Sequence, residues 1–339
     1  MGKKNQEPDR MEKEFLTSIQ KSFPISRRPF ADLARELGSE EEEILKLYGR
    51  LKDEKVIRQT SAIFDTKSLG YKSSLVAFKV DEIEKAAGII NEHPGVSHNY
   101  ERNNPYNLWF TIAVAPDSKL GLERTVELLA EKADAEEFII LPTKKMFKIS
   151  VQLDVKGDRA KKETVKRAKK EPMTLEPIHF EMIKGLQKDI EPVAEPFAPI
   201  VDTLGIDYKT LATEAERMKK AGLMRRFAAI LYHRKAGFTA NAMVVWKVPE
   251  ERAEEIGETV AAYSAVSHCY LRPVYPNWPY PLFSMVHGKS KEEVEAIVEE
   301  MANEIGVEEY DCLYSTREFK KVRIDYFSPA FEKWEERNA

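Results

Sequence analysis

Cysteine is almost missing from this chain: Cys269 and Cys312 are the only two in 339 residues, which excludes a disulfide framework and a cysteine-rich zinc site. Long apolar runs are missing too. No stretch approaches the about 20 residues that a membrane span needs. The opening MGKKNQEPDR is too polar for a signal peptide, so a cytoplasmic location is expected. Charge of one sign is not in excess either. Lys+Arg 53 against Asp+Glu 57 gives a net −4, so bulk charge offers no attraction to phosphate backbones or anionic lipid. What is present is 42% hydrophobic and 32% charged residues, enough for a core under a charged surface. The length is about twice that of a typical domain, which points to two domains or a duplicated one.

Self-comparison favours duplication. PFADLARELG at 29–38 matches PFAPIVDTLG at 196–205, an offset of 167. Gly70-Tyr71 returns as Gly237-Phe238, and Val96-Ser97-His98 as Val266-Ser267-His268. Tyr100 and Arg102 return as Tyr270 and Arg272, and Glu137, Leu141, Phe147 and Lys148 as Glu309, Leu313, Phe319 and Lys320. The copies run roughly over 10–153 and 175–328. The segment between them, dense in Lys, Arg and Glu, reads as a solvated linker over 154–174.

Each copy has the same grammar. In the first, Phe15 and Ile19, then Phe30, Leu33 and Leu37, recur at helical spacing. Gly38 stops the second helix, and Ser39 with Glu42 forms a capping box opening a third, whose apolar side is Ile44, Leu47, Tyr48 and Leu51. Three short helices ending in a hairpin predict a winged helix-turn-helix over 10–56. Strands at Ile57–Phe64 and Ser74–Val80, a helix over 81–93, strands over 97–102 and 108–115, a helix over 119–133 and a last strand over 137–153 follow. That is the βαββαβ ferredoxin-like order, placed over 57–153. The second copy repeats it, with a helix-turn-helix over 175–222, a ferredoxin-like domain over 223–328, and helices over 249–263 and 291–305. The fold class is therefore α+β: a tandem winged helix-turn-helix and ferredoxin-like repeat whose sheets pack as an intramolecular pseudo-dimer.

This combination resembles the Lrp/AsnC transcriptional regulators, but the third helix opens Glu40-Glu41-Glu42-Glu43, where a DNA reader meets phosphates. Four carboxylates repel phosphate, so DNA is an unlikely partner and the motif is expected to be a retained structural element.

Basic and imidazole side chains collect elsewhere. Arg225, Arg226, Tyr232, His233, Arg234 and Lys235 follow the second copy's third helix, and His268, Tyr270, Arg272 and His287 lie on expected neighbouring strands. The first copy keeps Arg58, His98, Tyr100 and Arg102, but has Thr66 opposite His233 and a position around Val114 opposite His287. Arginine grips carboxylates two-pronged, aromatic rings supply flat walls, and histidine moves protons near neutral pH. Together they suit a large, flat, polyanionic ligand, with the reaction site in the second copy.

RRFAAILYHRKAGFTANAMVVW, VSHCYLRP, NWPYPLFSMVHG and LYSTREFKK resemble the siroheme decarboxylases. In the first copy IRQTSAIFDTKSLGYKSSLVAFKV, GVSHNYERNNPYNLWFTI and LPTKKMFKI resemble the partner subunit of the same system. The likeness covers nearly the whole chain outside its ends and linker, and is that of a fusion. It implies loss of two acetate carboxylates from siroheme, giving 12,18-didecarboxysiroheme for heme or heme d-type cofactor synthesis. It also implies a tetrapyrrole substrate that brings its own iron, and no required cofactor. Proton transfer then falls to His233 and His287. Arg225, Arg226, Arg234 and Arg272 become carboxylate clamps, with Tyr232, His268 and Tyr270 as contacts and Arg58, His98 and Arg102 as contributions from the first copy. Self-association into a homodimer is a further expectation. The rival readings are a tetrapyrrole-responsive regulator and a heme carrier.

Overall fold

The computed structural model describes residues 10–149, 171–232 and 240–338, which form two compact units. The first unit holds residues 10–70, 171–232 and Asp325–Ser328. Its first copy has α1 (Arg10–Lys21), α2 (Pro29–Leu37), α3 (Glu41–Asp53) and β1 (Ile57–Phe64); its second has α6 (Pro177–Leu186), α7 (Ala198–Leu204), α8 (Tyr208–Lys220) and β7 (Met224–Leu231). Pro29 occupies the first turn of α2, where its missing N–H costs nothing. Gly38 ends the helix at φ 64°, a left-handed conformation that glycine adopts without strain. The expected apolar positions Phe15, Ile19, Phe30, Leu33, Ile44, Leu47, Tyr48 and Leu51 are all buried.

Two local expectations in this unit need correction. The Ser39–Glu42 capping box does not form, because α3 begins one residue later: Glu40 sits at the cap position, and Ser39 Oγ donates to Glu43 Oε2 at 2.7 Å. Only the second copy caps this helix with a side chain, Asp207 accepting from the Thr210 N–H at 2.7 Å. Nor does β1 start the ferredoxin-like sheet or fold back as its own wing. It pairs antiparallel with its counterpart β7, with Thr60 opposite Ala229 and Ser61 opposite Ala228. The central residues of both strands are buried, and each strand has one edge paired by the other copy. The sheet boundary therefore falls near residue 71, not at 57, and correspondingly after 231, not at 223.

The second unit carries both ferredoxin-like folds. The first is β2 (Lys72–Lys79), α4 (Ile83–Asn91), β3 (Val96–Arg102), β4 (Leu108–Val114), α5 (Gly121–Lys132) and β5 (Glu137–Leu141). The second is β8 (Ala240–Trp246), α9 (Ala253–Ala262), β9 (Val266–Leu271), β10 (Leu282–Gly288), α10 (Lys291–Ile305) and β11 (Tyr310–Lys321). Within the described residues, the single last strand expected over 137–153 is broken into β5 and β6 (Lys145–Ile149), and β6 leaves its own copy to pair with β9. Reciprocally, β11 pairs with β8 along its first half and with β3 along its second.

The resulting strand order is β5-β2-β4-β3-β11-β8-β10-β9-β6. Laid flat, nine strands would put the outer two about 38 Å apart. Yet β5 and β6 are separated only by residues 142–144, which span at most about 15 Å. The sheet must therefore curl. Period-2 alternation then sorts side chains to two faces. Val76, Phe78, Phe110 and Ile112 face α4 and α5, and Val244, Trp246, Leu282 and Val286 face α9 and α10. The other face gathers Ala77, Trp109, Leu141, Met243, Val245, Phe283 and Leu313 from both copies into one shared core. That shared core is the pseudo-dimer.

The swap is held by a repeated lysine. Lys148 Nζ donates to the Tyr263 oxygen at 2.9 Å at the end of α9, and Lys320 Nζ donates to the Asn91 oxygen at 2.6 Å at the end of α4. Cations at helix C-termini are favoured by the helix dipole. A last helix, α11 (Ala330–Asn338), places Trp334 in the first copy's helix-side core. Among the described residues no helix is long and apolar enough to cross a membrane.

Candidate functional site

Strand β9 presents His268 and Tyr270 at alternate positions, and Arg272, next after its last residue, continues the alternation, so all three project to one side of the sheet. Cys269, between them, is buried in the helix-side core. The three belong to the opposite face, because Tyr270 stands across from Phe283 and His268 across from Met285, both of the shared core. They form a ladder. The imidazole and phenol rings lie 6.1 Å apart with planes at 36°, and the Arg272 guanidinium carbon lies 5.0 Å over the Tyr270 ring.

His287 joins this row from β10. It falls two residues beyond Met285 on the same face, half-buried, and its Nε2 lies 2.6 Å from Ser267 Oγ. The same hydroxyl lies 2.7 Å from His268 Nδ1. A register shift between Met285 and Val286 draws Ser267 to this meeting point. Ser267 is itself 5% exposed. Composition did not single it out; the repeated Val-Ser-His motif was the available signal.

The first copy has a near-replica. His98 and Tyr100 lie 6.1 Å apart at 31°, and the Arg102 guanidinium carbon lies 5.7 Å over Tyr100. Ser97 Oγ again reaches its histidine, at 3.0 Å from Nδ1, but its other neighbour is Thr111 Oγ1 at 2.8 Å. The register pairs Tyr100 with Trp109 and Tyr270 with Phe283, which makes Ala113 the counterpart of His287. Val114, the expected counterpart, belongs to the helix-side core instead. The asymmetry between the copies stands, one residue earlier.

Arg272 and Arg102 are engaged differently from exposed clamps. Both are buried, and both donate Nη1 to a main-chain oxygen at the strand swap: Arg272 to Leu141, and Arg102 to Leu313 at 2.7 Å. Burial lowers each guanidinium to about 10. In each, the Nε is buried without a partner. Among the described residues their hydrogen bonds go to main-chain and hydroxyl oxygens, none to a carboxylate. A buried cation without a counter-ion is costly, and the cost is relieved when an anion approaches.

The remaining described candidates belong to the first unit. Arg58 is exposed at the start of β1, and Arg225 is exposed on β7. The Arg225 guanidinium donates to Asp65 Oδ2 at 2.8 and 3.3 Å. Burial raises the Asp65 carboxyl, but Arg225 and the Ser68 N–H outweigh it and hold it below the usual carboxylate range. Arg226 is half-buried opposite Ile63, and Tyr232, 46% exposed, ties its N–H to the Val56 oxygen at 3.0 Å. His233, Arg234 and Lys235 lie outside the described residues. Thr66, the position matched to His233, bonds Tyr326 OH at 2.6 Å.

Comparison with known proteins adds a family to this geometry. The AsnC-like ligand binding domain matches residues 68–148 and 235–320, and the siroheme decarboxylase NirDL-like HTH domain matches residues 12–58. The chain is 42% identical over 323 residues to a siroheme decarboxylase of Hydrogenobacter thermophilus, covering 94% of this chain and 96% of that one. It is similar to the crystal structure of the siroheme decarboxylase NirDL, with TM-score 0.77 and 36% identity over 96% of this chain and 97% of the other. A second crystal structure of NirDL, in co-complex with an iron-uroporphyrin III analogue, matches with TM-score 0.76 over the same shares of the two chains.

Proposed function

This chain belongs to the siroheme decarboxylase family, and on that premise we propose that it removes the C12 and C18 acetate carboxylates of siroheme, giving 12,18-didecarboxysiroheme and carbon dioxide. A pyrrole acetate loses carbon dioxide readily once the ring has taken a proton, because the protonated ring accepts the electron pair of the breaking C–C bond. A proton delivered to the exocyclic carbon then completes the methyl group as the ring gives its own proton back. Each carboxylate lost therefore consumes one proton overall. Groups that titrate near neutral pH suit this work, and imidazole is the natural one.

The observation that carries the reading is the position of His287, half-buried beside the His268–Tyr270–Arg272 ladder, where the first copy has Ala113. His287 is assigned proton transfer, with His233 as its companion from the segment outside the described residues. Tyr270 and His268 offer a flat wall to the macrocycle. The buried charges of Arg272 and Arg102 favour its carboxylates electrostatically while their Nη1 atoms stay on the main chain. Arg58, Arg225, Arg226, Tyr232 and Arg234 keep the carboxylate-binding assignment that the family resemblance implies for them. His98 is assigned a contact from the first copy. The iron arrives with the substrate, and the reaction as written uses no other cofactor.

The test is anaerobic incubation with siroheme followed by mass measurement of the product. Loss of two carbon dioxide units from the macrocycle supports the reading, whereas an unchanged mass with bound pigment supports a carrier or a regulator. His287→Ala is expected to lower turnover by ~10²–10⁴. Turnover equal to that of the parent chain would remove His287 from the reaction.

A further inference from the structure

We infer that Ser267 is a positioning residue that passes protons between His268 and His287. The inference rests on the decarboxylase reading and adds to it the route by which the acid is recharged. A serine hydroxyl has one proton to donate and lone pairs to accept with. Here it lies 2.7 Å from His268 Nδ1 and 2.6 Å from His287 Nε2, both within the short range of O–H···N contacts, and it is 5% exposed. Its single proton can serve only one of the two nitrogens, so the other imidazole must offer its own N–H.

That constraint makes the three groups a relay. When His268 is charged, its Nδ1 proton moves to Ser267 Oγ as the Ser267 proton moves to His287 Nε2. No bond other than O–H and N–H changes. One positive charge leaves His268 and appears on His287. His287 then delivers its Nδ1 proton to the substrate, which leaves both imidazoles neutral with a proton on Nε2; each returns that proton to its Nδ1 by exchange with water before His268 takes up the next. Two decarboxylations consume two protons, so the relay passes twice, with that exchange between the passages.

The first copy shows what the relay lacks when it is incomplete. Ser97 keeps its contact with His98, but its second neighbour is the Thr111 hydroxyl at 2.8 Å, and Ala113 stands in the place of His287. A proton leaving His98 through Ser97 reaches a group that cannot hold it as an acid near neutral pH.

The experiment is steady-state turnover of siroheme by Ser267→Ala and Ser267→Thr across pH. Ser267→Ala is expected to lose at least about tenfold in kcat with KM within about twofold, while Ser267→Thr, which keeps the hydroxyl, recovers most of the loss. The deficit in Ser267→Ala should widen as pH rises and solvent becomes a poorer proton source. Full turnover by Ser267→Ala overturns the relay and leaves the family reading intact. So does an equal loss in two folded variants. Absence of turnover by the parent chain overturns the family reading instead. Imidazole ¹⁵N spectra of the parent chain give a second measure that needs no variant to fold. One of His268 Nδ1 and His287 Nε2 should be protonated and the other bare near neutral pH; protons on both overturn the relay.

Discussion

The guanidinium of Arg272 donates to the main-chain oxygen of Leu141, the last residue of β5, where the first repeat's terminal strand leaves one sheet edge for another. A second donation, to Thr143 Oγ1 at 3.4 Å, reaches into the connection to β6. The fork of Arg272 thus occupies the break itself, while Arg102 donates to Leu313 just before the unbroken β11 changes partner from β8 to β3. Lysine keeps the charge but not the planar fork, nor the packing on Tyr270 and Phe283. Arg272→Lys is expected to cost about 1–3 kcal/mol of stability, because a buried carbonyl loses its donor. Urea unfolding measures it, and an unchanged midpoint and slope would show that the strand exchange does not depend on this contact.

Acid should loosen the second unit through His93. Its imidazole packs edge-on against Trp334, ring centroids 4.4 Å apart, and its Nδ1 accepts the Gly95 N–H at 3.0 Å. Burial first, and then the nearby Lys320 ammonium, lower its pKa to about 3. The unfolded chain binds that proton near the ordinary pKa of about 6.5. A depressed folded value means that the stabilisation is complete above about pH 6.5 and is lost progressively as pH falls toward about 3. Melting temperatures of the parent chain should therefore decline through this window, and those of His93→Leu should decline less steeply. Parallel slopes would exclude His93 as a source of the acid sensitivity.

Much of this architecture was legible in the chain because it is written twice. The recurrence of Val-Ser-His and of Lys148 as Lys320 fixed the equivalence of the two copies, and helical spacing identified Phe15, Ile19, Ile44 and Leu51 as core. Partner choice was not legible. A strand such as Ile57–Phe64 has the same alternation whether it pairs with its own copy or with β7, and nothing local to 137–149 says that β6 crosses over. The site was read in the same uneven way. His268, Tyr270 and His287 were expected on neighbouring strands and are found there, while Arg272 follows directly on the end of β9. Ser267 escaped notice, since a serine gains its meaning only from the two imidazoles that the fold brings to it.

Gly257 offers a direct probe of the strand exchange. It lies in α9, and a Cβ there would meet the Phe147 ring of β6 at 2.4 Å. Glycine in a helix interior is otherwise poorer than alanine by ~0.5–1 kcal/mol, so Gly257→Ala would help an uncrossed structure. In the exchanged one, overpacking should dominate and destabilise by about 1–3 kcal/mol. Phe147→Leu, which vacates the contested space, should recover part of that loss in the double variant. A stabilised Gly257→Ala would contradict the packing of β6 on α9.

The helix-turn-helix elements should bind duplex DNA no better than a generic acidic protein does. At the start of α3, Glu41 pairs with Arg28 and Glu42 with Lys46 at 2.7 Å, while Glu43 accepts from Ser39. The cations nearest this acidic turn are thus already neutralised, and carboxylates face the direction from which phosphate would come. Phosphate neutralisation supplies essentially all non-specific affinity, ordinarily a Kd of ~10⁻⁴–10⁻⁶ M at physiological salt. Fluorescence anisotropy with a labelled duplex should therefore show binding weaker than this range and little change on lowering the salt. Tight binding with a steep salt dependence would mean that other surfaces of the chain carry the contacts, and would revive a regulatory role for it.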